Sequence, residues 1–145
     1  MGQQHMILIK NGRVVDPVTN TDKIMDVLIK DNKIAEVSEH IEASGAQVID
    51  ATGLVVAPGL VETHVHFRDP GFTYKEDIET GAKAAAKGGF TMVVCMANTK
   101  PAVDNIETLD YIQKKGEKTG INVLQTATVT KGLKGTELVD MEQLA

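Results

Sequence analysis

The first third of the chain alternates short runs of β-branched and other apolar residues with turn residues. The apolar runs cover residues 6–9, 13–15, 24–29, 33–37 and 47–49. They are separated by Asn11-Gly12, Asp16-Pro17, Asp31-Asn32 and Ser44-Gly45, which are pairs typical of turns. This pattern predicts a small antiparallel β-module over residues 6–53, with a tight hairpin at Asp31-Asn32-Lys33.

From residue 54 onward, runs typical of strands alternate with segments of helical length. We expect strands at 54–67, 91–96 and 122–129, and helices at 75–87 and 106–118. The first helix would end at Gly88-Gly89, and the second would be capped by Asp104 or Asn105 and closed by Gly120. Residues 140–145 resemble the first turn of a further helix. This alternation predicts an α/β fold with a parallel sheet and right-handed crossovers over residues 54–145.

Composition narrows the class of protein. A chain of 145 residues with 42% hydrophobic content is expected to fold. Its net charge of -5 and its lack of a basic cluster argue against nucleic acid as a partner. No leader and no apolar span of about 18 residues is present, so we expect a cytoplasmic protein without membrane contact. Residues 1–5 resemble an expression scar and receive no functional role.

Cys95 lies within an apolar run and is expected to be a buried structural thiol in a reducing compartment. A nucleophile is the less favoured alternative, because no histidine lies near it in the sequence.

Three polar side chains alternate at the end of the first predicted strand of the α/β region. The run 54–61 is nearly free of charge, which predicts a strand buried on both faces. His64, His66 and Arg68 follow it, and strand alternation would place all three on one side of the sheet. Imidazole nitrogens bind Zn²⁺ and a guanidinium binds carboxylates through two hydrogen bonds. The pattern therefore indicates a metal site beside an anion site, although His-x-His alone is a weak motif.

Asn98 follows the second predicted strand, and the carboxyl ends of parallel strands carry the functional loops of barrels. Asn98 can be interpreted as a turn residue or as a hydrogen-bonding partner of a substrate. The sequence alone leaves both interpretations open.

Three stretches of the sequence form a specific combination: Ala-Pro-Gly-Leu-Val-Glu-Thr-His-Val-His-Phe-Arg-Asp-Pro-Gly at 57–71, Thr-Tyr-Lys-Glu-Asp-Ile at 73–78 and Met-Ala-Asn-Thr-Lys-Pro at 96–101. Together they resemble dihydroorotases of the bacterial class I type, a branch of the amidohydrolase superfamily. The resemblance extends from about Met6 to the end of the chain. It implies an incomplete TIM-type (β/α)8 barrel, with about three strands present, preceded by the β-module.

The resemblance also implies roles for individual residues. His64 and His66 would be ligands of the more buried of two zinc ions in each full-length subunit. His66, Arg68 and Asn98 would contact the substrate, and the last two would hold its α-carboxylate. The implied reaction is the reversible conversion of N-carbamoyl-L-aspartate to L-dihydroorotate in de novo pyrimidine biosynthesis, in which zinc polarises the ring carbonyl and lowers the pKa of water and an aspartate shuttles the proton.

The chain departs from the family pattern in three respects. Glu62 and Ala97 stand where the family often has Asp and Pro. Glu62 shares strand parity with His64 and could orient a ligand. The bridging carboxylate, two further histidines and the catalytic aspartate are expected beyond Ala145. The 145 residues alone are therefore expected to be inactive and to bind zinc weakly at most, because catalytic zinc normally has three protein ligands. His40 is not expected to be a ligand.

Two other functions remain as alternatives. One is a non-catalytic dihydroorotase-like structural partner of aspartate carbamoyltransferase, against which the intact His64, His66 and Arg68 argue. The other is a hydantoinase or allantoinase type of amidohydrolase, which generally lacks an arginine at the position of Arg68. The expected partners are a small-molecule substrate and, in line with the resemblance, a second copy of the chain or aspartate carbamoyltransferase.

Overall fold

The computed structural model describes residues 5–145, so most of the expression scar expected at residues 1–5 lies outside the described residues. The chain divides into two compact units, one up to Pro58 and the other from Gly59 to Ala145. The first unit is a sheet of order β3-β2-β1-β4 in which β5 also pairs with β1. Its strands are β1 (Met6–Asp16), β2 (Thr21–Lys30), β3 (Lys33–Ser38), β4 (Gln47–Asp50) and β5 (Val55–Val56).

Local turn chemistry determines two features of this sheet. The runs predicted at 6–9 and 13–15 form one strand, because a β-bulge between Ile9 and Gly12 places Lys10 and Asn11 opposite the single residue Asp26. The hairpin predicted at Asp31-Asn32-Lys33 is confirmed. Asp31 and Asn32 have φ values of 51° and 61°, the left-handed conformation that two-residue hairpin turns require.

The prediction of a purely antiparallel module was wrong. β4 and β5 both run parallel to β1, with Arg13 opposite Val55. Consequently the strand expected at 54–67 is two strands, because Val55 and Val56 extend the first sheet. Pro58 follows them and has no N–H to continue a ladder. The first unit therefore ends at Pro58, later than the boundary expected between residues 53 and 54.

The second unit alternates strands and helices as predicted. Its three strands are all parallel and have the order β6-β7-β8. Its elements are β6 (Leu60–Val65), α1 (Ile78–Lys87), β7 (Phe90–Cys95), α2 (Ile106–Gly116), β8 (Asn122–Gln125), a 3-10 turn (Lys131–Leu133) and α3 (Met141–Leu144).

Side-chain caps determine where the two long helices begin. α1 begins later than the predicted residue 75, because Asp77 is its N-cap and accepts a hydrogen bond from the Thr80 N–H. For α2 the cap is Asn105, which accepts from the Thr108 N–H. The other candidate, Asp104, instead accepts a hydrogen bond from the Gly132 N–H at 2.8 Å.

The hydrophobic core of the second unit lies between the sheet and the helices α1 and α2. Its buried side chains are Phe67, Ile78, Ala82, Val93, Cys95, Ala97, Val103, Leu109 and Ile112. The expectation that the 54–61 run is buried on both faces was wrong, since Leu60 and Val61 are each 53% exposed. β6 lies at the edge of the sheet, so its outer side has no neighbouring strand within residues 5–145.

Cys95 is buried and unpaired, as the sequence predicts for a structural thiol. Burial raises the pKa of its thiol to about 11, so the group is protonated at neutral pH and is a poor nucleophile. None of the helices within residues 5–145 has the length and apolar character needed to span a membrane.

Candidate active site

The carboxyl ends of β6 and β7 meet at one edge of the parallel sheet and bring two polar side chains together. His66 directly follows β6, and Asn98 lies in the loop after β7. Their side chains are joined by a hydrogen bond of 2.8 Å between His66 Nδ1 and Asn98 Oδ1. Of the two interpretations of Asn98, this contact favours a role in the site over a role limited to the turn.

His64 and His66 also lie side by side. Their ring centroids are 5.3 Å apart and the ring planes are inclined by 65°. Because the amide oxygen of Asn98 can only accept a hydrogen bond, Nδ1 of His66 carries the proton. In the neutral form of this ring the lone pair is then on Nε2, which is the arrangement found in histidines that ligate metals.

Glu62 contacts His64 through the backbone and not through the imidazole ring. Its Oε1 accepts a hydrogen bond of 2.9 Å from the backbone N–H of His64. The pairing of β6 with β7 also changes register between Glu62 and Val65. The carboxylate thus braces the strand end that carries His64, and it bonds no imidazole.

Arg68 lies beyond the strand, so the alternation that grouped it with the two histidines does not apply to it. β6 ends at Val65, and Arg68 has a left-handed backbone with φ of 62°. Few residues other than glycine adopt this conformation, which costs about 1–2 kcal/mol. The side chains on either side, Phe67 and Asp69, are 5% and 2% exposed. The backbone from which the Arg68 side chain projects is therefore a turn held between two buried residues.

The loop after β6 and the loop after β7 contact each other closely. The Lys100 N–H donates to the carbonyl oxygen of Pro70 at 3.0 Å. Gly71, at φ of 92°, lies so near the Lys100 carbonyl that a β-carbon at this position would overlap it. Only glycine fits such an approach, and the two loops consequently form one packed unit.

A buried carboxylate that the sequence suggested only as a turn residue connects this loop to α2. The side chain of Asp69 is fully buried and accepts hydrogen bonds from Lys115 Nζ at 2.6 Å and Tyr111 Oη at 3.0 Å. The hydrogen bond that Lys115 donates to Asp69 raises the pKa of Lys115. Tyr111 and Lys115 are four residues apart and share one helix face, which is the one sequence signal that could have indicated a shared partner.

The two imidazoles could supply part of a metal site. Nitrogen donors of this kind suit zinc, and the free Nε2 of His66 fits the role of a ligand. Within residues 5–145, no group of three or more His, Cys, Asp or Glu side chains is placed to hold a metal ion. His40 belongs to the first unit, where the Nε2 of its exposed ring is 3.4 Å from Glu42 Oε1.

Solved structures resemble the fold of this chain. L-hydantoinase (dihydropyrimidinase) from Arthrobacter aurescens matches with a TM-score of 0.75 and 28% identity over 86% of this chain and 28% of its own. Dihydropyrimidinase from Brevibacillus agri matches with a TM-score of 0.71 and 26% identity over 96% of this chain and 36% of its own. In its α/β fold and in the arrangement of its strand ends, the chain is similar to these amidohydrolase structures.

The family follows from the sequence comparison. The family model described as dihydro-orotase-like matches residues 53–145, so the chain belongs to the dihydro-orotase-like family. A dihydroorotase of Clostridioides difficile is 61% identical over 140 residues, which cover 96% of this chain and 33% of the relative. The resemblance found in the sequence is thereby confirmed. The chain spans about a third of the length of the curated relatives that it matches.

Proposed function

We propose that the full-length protein is a zinc-dependent dihydroorotase, which interconverts N-carbamoyl-L-aspartate and L-dihydroorotate in de novo pyrimidine biosynthesis. The observation that carries the proposal is the junction of His64, His66 and Asn98 at the carboxyl ends of two parallel strands. Family membership supports the same reaction. In this proposal β6, β7 and β8 are the first three strands of a (β/α)8 barrel.

His64 and His66 would hold the more buried of two zinc ions, which when bound would polarise the ring carbonyl and activate water. The hydrogen bond to Asn98 keeps the His66 ring in one tautomer and one orientation, and the Glu62 carboxylate braces the backbone of His64. Both contacts reduce the freedom that the ligands would lose on binding the ion.

Arg68 and Asn98 would bind the α-carboxylate of the substrate. A guanidinium can donate two parallel hydrogen bonds to a carboxylate, which determines both the position and the orientation of the ring. Asn98 uses its amide oxygen on His66, so its NH₂ group remains available as a donor. Asn98 would thus connect the metal ligand to the substrate.

The direct test is hydrolysis of L-dihydroorotate by the full-length protein, loaded with zinc and compared with its His66→Ala variant. We expect turnover by the unmodified protein and a loss of at least about a hundredfold in the variant, because the change removes a ligand. The matched control is His40→Ala, whose ring is exposed in the first unit and whose removal should leave the rate unchanged. Equal rates for the unmodified and His66→Ala proteins would contradict the proposal.

We further propose that residues 1–145 alone are inactive. Two imidazoles leave a zinc ion with fewer than the three protein ligands that catalytic sites normally use. The comparison is between the 145-residue chain and the full-length protein in the same assay. Comparable specific activity of the short chain would show that the ligands beyond Ala145 are not required.

A hydantoinase type of activity is the second candidate, and the similarity to the Arthrobacter aurescens L-hydantoinase favours it. Arg68 discriminates between the two, because only a substrate with a carboxylate needs a guanidinium. We expect Arg68→Met to abolish turnover of dihydroorotate and to spare an uncharged ring such as hydantoin. Turnover of hydantoin but not of dihydroorotate by the unmodified protein would favour the second candidate.

A further inference from the structure

The contact between Asp69 and α2 is one of two ion pairs in the described part of the chain whose carboxylate is buried, the other being that of Asp26 with Lys10. The side chain of Asp69 is 0% exposed and that of Lys115 is 27% exposed, with 2.6 Å between Oδ2 and Nζ. Tyr111 Oη donates to the other carboxylate oxygen at 3.0 Å, and the Ile78 N–H approaches Oδ2 at 3.4 Å. Such short, desolvated and charge-assisted bonds resist displacement far more than exposed ones do.

These bonds hold Asp69 in place, and Asp69 directly follows Arg68 in the sequence. The left-handed backbone of Arg68 is unfavourable for a residue with a β-carbon and persists only when its surroundings enforce it. On one side Phe67 packs against Gly81 of α1, and on the other side Asp69 is bound to α2. The Phe72 N–H closes the turn by donating to the Arg68 carbonyl at 2.9 Å. The backbone of Arg68 is therefore held through both of its neighbours, and on one side this depends on the ionic contact of Asp69.

We propose that Asp69 is a positioning residue, which acts through Lys115 and Tyr111 to hold Arg68 in the conformation that binds the substrate carboxylate. This inference rests on the proposed dihydroorotase function for its kinetic consequence. Its structural consequence, the left-handed backbone of Arg68, is independent of any activity. Asp69 itself touches no reacting atom in this proposal.

The kinetic test compares Asp69→Asn, Tyr111→Phe and Lys115→Met in the zinc-loaded full-length protein. We expect the KM for dihydroorotate to rise about tenfold in Asp69→Asn and Lys115→Met, and by less in Tyr111→Phe, while kcat changes about twofold at most. Tyr111→Phe removes one hydroxyl from a partly exposed ring and should fold normally. Lys115→Arg should keep the KM close to that of the unmodified protein, because arginine can still donate a hydrogen bond to Asp69.

Lys114→Met is the matched control, because Lys114 precedes Lys115 on the same helix and pairs only with the exposed Asp110. It should leave KM and kcat unchanged. A purely structural role of Asp69 predicts a different result, in which less protein folds and kcat falls while KM stays constant. That result, or an unchanged KM in all three variants, would overturn the proposal.

A crystal structure of the full-length Asp69→Asn variant separates this inference from the proposed function. We expect Arg68 to leave its left-handed conformation in the variant. If Arg68 keeps a φ near 62°, the positioning role is refuted even in an active enzyme. If the unmodified protein fails to hydrolyse dihydroorotate while Arg68 still loses its left-handed conformation in the variant, only the assigned reaction is wrong.

Discussion

Asp26 is a buried carboxylate that connects distant parts of the first unit. Its side chain is 2% exposed and accepts hydrogen bonds from the Asn11 N–H at 2.9 Å and the Ile41 N–H at 3.0 Å. Lys10 Nζ lies 3.6 Å away. Burial raises the pKa of Asp26, but the two N–H donors and Lys10 outweigh burial and lower the pKa below its ordinary value of 3.8. The ionised carboxylate is therefore the form that stabilises the folded module.

A pH dependence follows from the lowered pKa of Asp26. Its stabilising contribution should be complete above pH 3.8 and should disappear as the pH falls through the lower pKa of the folded state. Asp26→Asn should cost about 1–3 kcal/mol at neutral pH, because one buried N–H donor loses its charged acceptor. Hydrogen exchange of the Asn11 and Ile41 amides, together with urea unfolding, checks both expectations.

Asp22→Asn on the same strand is the control for Asp26, since Asp22 and Arg13 are both more than half exposed. This variant should change amide exchange and unfolding little. Equal effects of the two substitutions would show that burial of the carboxylate is not the cause.

Residues close to a strand end were the easiest to predict from the sequence. His66 lies at the end of one predicted parallel strand and Asn98 follows the next, and strand ends meet at one edge, so their proximity could be inferred. Asp69 could not be assigned in this way, because its partners Tyr111 and Lys115 are 42 and 46 residues away. An Asp-Pro-Gly sequence also has a sufficient local explanation as a turn.

At the scale of elements, α1 approaches the loop after β6 at a glycine. A β-carbon on Gly81 would lie 2.5 Å from the Phe67 ring. At an exposed helix position alanine stabilises the helix by about 1 kcal/mol relative to glycine, whereas overpacking a core destabilises the protein by about 1–3 kcal/mol. The close contact therefore outweighs the gain in helix propensity.

We predict that Gly81→Ala destabilises the protein by up to about 2 kcal/mol, the difference between these two effects. Displacement of Phe67 should also disturb Arg68, so the KM for dihydroorotate should rise. Thermal unfolding and steady-state kinetics of the full-length protein check the two expectations. Gly120→Ala is the control, since nothing lies within 4 Å of a β-carbon there, and a stabilised Gly81→Ala variant would contradict the packing argument.

The periodicity of the sequence predicted the helices and the order of the strands, but not the assignment of β5. Val55 and Val56 belong to an apolar run that continues toward β6, so local pattern cannot separate the two strands. Their pairing with β1 depends on a partner 42 residues earlier, as in Arg13 opposite Val55. The same limit explains why β4 was expected to be antiparallel, since strand direction depends on long-range pairing.

At the scale of the whole molecule, the parallel sheet of the second unit has two open sides within residues 5–145. β6 and β8 each pair only with β7. Apolar side chains on them are exposed, including Leu60 and Val61 at 53% and Leu124 at 48%. Unpaired strand edges with exposed apolar residues associate with other chains.

We predict that the 145-residue chain self-associates with rising concentration, as measured by sedimentation velocity. Leu124→Lys should reduce this association, because charge on an edge strand opposes pairing. Thr119 lies before β8, so Thr119→Lys should reduce the association less. A chain that stays monomeric at about 100 µM would contradict the prediction, since edge pairing is concentration dependent.

The contact of Gly71 with the Lys100 carbonyl limits how this site can be redesigned. Because each loop supplies a wall for the other, an insertion or deletion in residues 66–77 would need a matching change in residues 98–105. Loop grafting from a relative would therefore succeed only if both segments were transferred together. Side chains that project from this shared backbone can be exchanged one at a time, so new ring specificities are more accessible by point substitution than by altering loop length.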